Sequence, residues 1–369
     1  MHATGAESLS ARLHTILITA IVENGGWLPF DRFMALALYE PGLGYYARSS
    51  RQFGSLPPSA TRPGSDFITA PELSPLFGQT LARQVEQALD ASGTQEVFEF
   101  GAGSGALAAQ LLGALGDRVR RYSIIDLSGT LREKQAQTLA PWADRVHWLS
   151  ALPESMAGVV VGNEVLDAMP VQLLHFDGSD WFERGVAAPA GAFTWVDRAT
   201  ALRPPGVTAF PPGTVTEIHP QAEAFIRTLA AHLDRGAAFF IDYGFPEAEF
   251  YHPQRHGGTL MCHRAHQADD QPLVDVGDKD ITAHVNFSGI ALAGQDAGLD
   301  VLGYTSQAHC LMNCGLLDLL QGADIRTTAN AQKLLTEHEM GELFKVIGFA
   351  KACAFDAVGF ARGDRSHTL

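Results

Sequence analysis

Three glycines stand at alternate positions, Gly101, Gly103 and Gly105, in the run VFEFGAGSGALAAQLL at 97–112. They lie between a strand-like and a helix-like stretch, where the backbone must turn tightly and approach a ligand with no Cβ in the way. A plain turn needs one glycine, so three predict a nucleoside-containing ligand. Two cofactors compete for this loop. With Ala106 the same residues satisfy the dinucleotide pattern G-x-G-x-x-A, and Asp126 ends the next strand, where an acid accepts a hydrogen bond from a ribose. That reading makes the chain a nicotinamide-dependent oxidoreductase. Glu99, two positions before the first glycine, favours S-adenosylmethionine instead. A carboxylate at the carboxyl end of a buried strand repels a pyrophosphate but accepts a hydrogen bond from a cationic amino-acid group.

A second set of polar residues ends the run GVVVGNEVLDAMPV at 158–171, where an apolar strand gives way to Asn163, Glu164 and Asp167. Polar groups at the carboxyl end of a central strand face the crevice in which open α/β sheets bind ligands, although Asn163 and Asp167 could equally cap the following turn. Methyl transfer from a sulfonium chiefly requires alignment of nucleophile, methyl carbon and sulfur. An arginine acceptor is always charged, so its site needs carboxylates that match the planar guanidinium fork. Glu164 is the first candidate for that role and Asp167 the second. His284, in DKDITAHVNF at 278–287, is a third candidate to face the crevice, with Thr282 or Asp280 expected to cap a helix there. His252, His256, His263 and His266 crowd a segment that also holds Cys262, Asp269 and Asp270. No paired C-x-x-C accompanies them, so no metal site is expected.

The elements that must position these groups follow from periodicity. Leu9, Leu13, Ile16, Leu17, Ala20 and Ile21 recur at helical spacing up to the stop Asn24-Gly25-Gly26, and a second helix is expected from Phe30 to Tyr39. The long Gly-, Pro- and Ser-rich stretch that follows reads as a lid or wall over a site. From residue 97 short β-rich runs alternate with helical ones, the pattern of βαβ units and a parallel sheet. Another buried strand is expected at 237–244, and a helix over Phe287 to Ala297. An insertion at 171–215 carries a hairpin around Asp177-Gly178, and a second irregular insertion runs over 245–280. DVLGYTSQ, a helical region to about 352 and AFDAVGFAR are expected to finish the sheet with an antiparallel edge. The fold class is therefore α/β, a Rossmann-like methyltransferase sheet with an N-terminal helical and lid segment over 1–90. The catalytic domain is expected over 91–369 with its two insertions.

Composition excludes several classes. With 369 residues, 46% hydrophobic and 18% charged, the chain can bury a substantial core and is not of disordered composition. A formal charge of −15 repels nucleic acid on average, and no Lys/Arg stripe offsets it. No apolar run approaches the ~20 residues that span a bilayer. No basic segment with a following apolar core opens the chain, so a cytoplasmic location is expected, with Cys262, Cys310, Cys314 and Cys353 as free thiols.

Taken together the motifs resemble one family, the MidA-like methyltransferases, relatives of the mitochondrial complex I assembly protein arginine methyltransferase. The resemblance covers most of the chain. It rests on YEPGLGYYA at 39–47, GSDFITAPELSPLFGQTLA at 64–82, EFGAGSGAL at 99–107, LREKQ at 131–135, GNEVLDAMPVQ at 162–172, WFERGV at 181–186, IDYG at 241–244 and GDKDITAHVNFSGIA at 277–291. It implies a pocket for S-adenosylmethionine formed by Asp66, Phe67 and Thr69, the glycine loop, Asp126 with Leu127, and the Asn163-Glu164 turn. It also implies an arginine-bearing protein substrate, a respiratory-complex subunit among the candidates. Three positions depart from the family pattern: Asp126 stands where glutamate is expected, Asn286 where aspartate is usual, and Ser104 where a bulkier or charged residue is common. Asp126 preserves a ribose acceptor, whereas Asn286 removes a charge that could help hold a cationic substrate. A cofactor-binding assembly factor without turnover is the further alternative.

The two cofactor readings part in a melting experiment. S-adenosylmethionine and its demethylated product should raise the melting temperature by mass action, and NAD should leave it unchanged; the opposite pattern would establish the oxidoreductase.

Overall fold

The computed structural model describes residues 8–48, 69–126, 131–206, 209–264 and 267–369. Asp66, Phe67 and Leu127, and the central part of the expected lid, lie outside them. The chain divides into two compact units. One comprises Met1–Phe67, Ala168–Gln221 and Ala248–Ala283; the other comprises Ile68–Asp167, Ala222–Glu247 and His284–Leu369. The N-terminal segment and most of both insertions thus fall in the first unit.

The second unit is built on a largely parallel sheet. We label its strands in chain order β1 (Glu96–Phe100), β2 (Arg121–Ile125), β3 (Val146–Leu149), β4 (Met156–Asn163), β5 (Leu233–Phe245), β6 (Asp300–Ser306) and β7 (Phe344–Lys351). Their spatial order is β6-β7-β5-β4-β1-β2-β3, with the short pair Val285–Asn286 added in parallel to the end of β5. The five strands from β5 to β3 run parallel, and β7 is antiparallel to both β5 and β6. Val159, Val160 and Val161 and the run Ala237–Ile241 are buried, as a sheet covered on both faces requires. Helices Leu76–Ser92 and Ala106–Leu115 place Leu81, Val85, Leu107 and Leu111 in one core with Val97, Val159 and Phe239. The chain leaves β1 towards β2 and β3, then returns to β4 on the other side of β1. This reversal is a topological switch point, the place at the carboxyl ends of the strands where open α/β sheets bind ligands.

Two expectations for this unit are corrected. Phe344–Lys351 is a strand within what was read as a helical region, and AFDAVGFAR contributes only the 3-10 turn Val358–Phe360. A short, nearly continuous apolar run has no period that separates a buried strand from a buried helix. The second correction concerns the helix Phe287–Asp296. Its cap is Asn286, whose side chain accepts a hydrogen bond from the Gly289 N–H at 3.3 Å, and Asp280–Thr282 is a strand. Asparagine and aspartate cap helices about equally well, so the family departure at Asn286 has a structural account.

In the first unit, helices Leu9–Glu23 and Phe30–Tyr39 share a core with Val171, Leu173, Val186 and Ile281. The expected hairpin is present as Gln172–Phe176 paired with Trp181–Ala187. The acids of the DKD run are engaged within this unit. Arg48 pairs with Asp278, the Tyr46 hydroxyl donates to Asp280 at 2.8 Å, and Lys279 Nζ lies 2.7 Å from Asp269. Among the described residues no helix is long and apolar enough to cross a membrane.

The contact between β1 and β4 depends on Gly158, where a Cβ would run into the carbonyl oxygen of Glu96 and come within 3.0 Å of the Phe98 ring. Gly158→Ala should therefore cost about 1–3 kcal/mol by overpacking. Denaturant unfolding measures this, and an unchanged midpoint would mean that these strands are spaced more loosely.

Candidate active site

The glycine loop follows β1 on the switch-point side. Gly101, Gly103 and Gly105 have φ of +62°, +51° and +81°, a left-handed region that residues with a Cβ enter only at a cost. The loop is closed by hydrogen bonds from Gly101 N–H to the Ile125 carbonyl (3.2 Å) and from Gly105 N–H to the Ala102 carbonyl (2.7 Å). A Cβ on Gly101 would lie 3.1 Å from Val165 Cγ2, so this loop and the turn after β4 are in direct contact. Asp126 follows β2 and is half-buried, and its Oδ2 accepts a hydrogen bond from Gln135 Nε2 at 2.9 Å. A bare, tightly turned backbone beside an oriented carboxylate fits an adenosine with its ribose.

Glu99 lies on β1 and is 2% exposed. Its Oε2 accepts a hydrogen bond from the Tyr122 hydroxyl at 2.7 Å. Burial outweighs that hydrogen bond, and the nearby Asp126 adds to it, so the Glu99 carboxyl is pushed up to about 8.

The turn after β4 carries the second set of acids. Glu164 has φ of +54°, an uncommon conformation for a residue with a side chain. Its N–H donates to the Ile241 carbonyl at 2.9 Å, and its Oε1 accepts from Asn163 Nδ2 at 2.9 Å. The next three N–H groups, of Val165, Leu166 and Asp167, converge on Asp242 Oδ2 at 3.1, 2.9 and 3.2 Å. The N–H of Tyr243 donates to Asp242 Oδ1 at 3.0 Å. The Tyr243 hydroxyl in turn donates to Asp167 Oδ2. Burial and then the neighbouring Asp167 push the Glu164 carboxyl up to about 8, against the hydrogen bonds from Asn163 and the Ala70 backbone. Burial, followed by the Asp167 and Glu164 charges, likewise raises Asp242, opposed by the backbone donors.

The expected residues therefore gather on the two sides of one switch point. Gly101, Gly103, Gly105 and Asp126 stand on the β1–β2 side, and Asn163, Glu164 and Asp167 on the β4–β5 side. Thr69 immediately precedes the short helix Ala70–Leu73, whose Ala70 backbone reaches Glu164. His284 reaches the acids through Tyr243. Its ring meets Tyr243 edge-on, with centroids 5.1 Å apart, and stacks on Phe245 at 5.2 Å. Three residues of this arrangement were missed as site residues: Asp242 and Tyr243 in the IDYG run, and Gln135 at the end of LREKQ. An acid at the end of β5, the strand that pairs with β4, was the available signal for Asp242.

Comparisons with known proteins bear on the same geometry. A family model described as S-adenosyl-L-methionine-dependent methyltransferase matches residues 80–305. A crystal structure from Burkholderia thailandensis bound to S-adenosyl-homocysteine is 52% identical, covering 100% of this chain and 99% of that one, with a TM-score of 0.93. A native structure from the same organism is 51% identical with the same coverage and a TM-score of 0.89. More distant relatives include the mitochondrial protein arginine methyltransferase NDUFAF7 of Danio rerio, 25% identical over 86% of this chain and 79% of that protein. The Drosophila melanogaster homologue is 27% identical over 93% and 80%.

The raised carboxyl of Glu99 makes stability depend on pH. Between an unfolded value of 4.5 and a folded value of about 8, the native state keeps a proton that the unfolded state releases, so stability falls as pH rises through this window. Glu164 acts in the same sense. Glu99→Gln should remove one share and make the fall shallower. Urea unfolding of both proteins from about pH 5 to about pH 8 tests this; parallel curves would show that Glu99 is ionised in the native state.

Proposed function

The chain belongs to the family of S-adenosyl-L-methionine-dependent methyltransferases, and from this premise we propose that it methylates a guanidinium nitrogen of an arginine on a protein substrate. S-adenosylmethionine supplies a methyl group already activated on a sulfonium. The cradle for its adenosine is assigned to Gly101, Gly103, Gly105 and Asp126, and Glu99 and Asn163 are assigned to the same pocket. Glu164 and Asp167 are assigned to the guanidinium.

The observation that carries this reading is the strained turn after β4, which holds the Asp167 carboxyl close enough to the buried Glu164 to raise the proton affinity of Glu164. A buried pair of this kind gains most when a cation arrives, because the cation favours both ionised forms. The guanidinium fork presents several N–H donors in one plane and can engage carboxylates in two places. Methylation of an arginine releases one proton, and a carboxyl with an affinity near neutral pH can accept it. Tyr243 fixes one oxygen of Asp167, and Asn163 fixes one of Glu164, so both carboxyls are oriented before substrate arrives. The named activity of the distant relatives supports an arginine acceptor.

Glu164→Gln keeps the shape and removes the charge. Methyl transfer from isotopically labelled S-adenosylmethionine to a lysate lacking this protein, with modified sites mapped by mass spectrometry, should fall by ~100-fold or more. Cofactor affinity should change by less than ~1 kcal/mol. Full retention of turnover, or a loss of cofactor binding in proportion to activity, would remove Glu164 from the substrate side.

A further inference from the structure

Gln135 lies on the helix Arg132–Thr138 and is fully buried. Its side-chain amide makes three hydrogen bonds. Nε2 donates to the Gly103 carbonyl at 3.1 Å and to Asp126 Oδ2 at 2.9 Å, and Oε1 accepts from the Trp148 indole Nε1 at 2.9 Å. The indole nitrogen is a donor only, so the amide oxygen must face Trp148 and the amide nitrogen must face the glycine loop and Asp126. The orientation of the amide follows from chemistry alone. The Arg132 guanidinium lies over the Trp148 ring, 5.3 Å from its centroid. The helix also packs closely on the loop, since a Cβ on Gly105 would lie 3.5 Å from Gln135 Cα.

We propose that Gln135 is a positioning residue for the cofactor's ribose, locking the Asp126 carboxylate and the glycine loop into one arrangement. The inference rests on the assignment of Asp126 to the ribose. Gln135 joins the loop after β1, the acid after β2 and an indole on β3 through one neutral side chain. Its neutrality matters. A lysine at this place would also hold Asp126, but would compete with the ribose for the carboxylate's charge. An amide donates to Oδ2 without bringing a charge of its own. The tie to the Gly103 carbonyl holds the loop in register with the acid, so the two halves of the adenosine cradle move together. Such an arrangement is complete before ligand binds, and less ordering remains to be done on binding.

Gln135→Glu keeps the shape but replaces the donor with an acceptor facing Asp126 and the Gly103 carbonyl. Titration calorimetry of the full chain with S-adenosylhomocysteine should show affinity lower by about tenfold or more, the loss expected for a buried hydrogen bond to a charged group. An analogue of S-adenosylhomocysteine without the ribose hydroxyls should separate positioning from a general loss of structure. In the wild type, removal of the hydroxyls should cost about tenfold, and in Gln135→Glu almost nothing further. Trp148→Phe, which only frees the amide to turn, should shift both numbers in the same direction by a smaller factor while circular dichroism stays unchanged. This variant carries the test if Gln135→Glu does not fold. An undiminished hydroxyl penalty in the variants would overturn the role of Gln135. If Asp126→Ala binds S-adenosylhomocysteine as tightly as the wild type, the ribose assignment falls, and the inference with it. A weak Asp126→Ala beside a normal Gln135→Glu would leave the ribose assignment standing and remove Gln135 alone.

Discussion

The acid-bearing side of the site depends on one buried carboxylate, that of Asp242. The chain leaves β4 through Glu164 in a left-handed conformation, which costs on the order of 1–3 kcal/mol and persists only where its surroundings enforce it. The turn also leaves three successive backbone N–H groups without partners in the sheet, and buried donors of this kind must be satisfied. Asp242 receives all three on one oxygen. It can do so because β5 lies parallel to β4, with Ile241 opposite Asn163, so the next residue of β5 stands beside the next residues of the turn. Strand register thus becomes turn geometry, and turn geometry places the Glu164 and Asp167 carboxyls. The same residue pair continues outward, as Tyr243 reaches Asp167 with its hydroxyl and His284 with its ring.

This mode of construction explains why part of the site was legible in the sequence and part was not. Gly101, Gly103 and Gly105 announce themselves because no other residue adopts their conformation cheaply, and Glu164 and Asp167 because they interrupt an apolar strand. The parallel rhythm from residue 97 to 163 identified the sheet for the same reason, and the hairpin at Asp177-Gly178 was signalled by its turn. Asp242, Tyr243 and Gln135 act through partners 75 to 77 residues away in the first two cases, and 9, 13 and 32 residues away in the third. No local pattern encodes such separations; they exist only once the strand order does. The strand Phe344–Lys351 shows the converse problem. Its residues are buried almost without interruption, so neither a period of two nor a period of 3.6 marks it. Asn286 departs from the family's aspartate by a charge, and only the folded chain shows that its side chain also closes the first turn of a helix.

The donors that orient the acids of this site share a property. Glu99 is held by a phenol, Glu164 by an amide side chain, Asp242 by backbone N–H groups and Asp126 by the Gln135 amide. These neutral donors fix direction without adding a positive charge. A lysine or arginine in any of their places would bind the carboxylate more strongly and would also lower its proton affinity. The neutral donors leave burial and mutual repulsion in control, which is why Glu99 and Glu164 are both raised to about 8. Burial therefore favours the protonated form of both carboxyls, and a cation brought beside them would favour the ionised form. On the proposed reading a sulfonium and a guanidinium would both meet acids whose direction is already set by neutral donors, with Glu99 and Asp126 on one side of the switch point and Glu164 on the other.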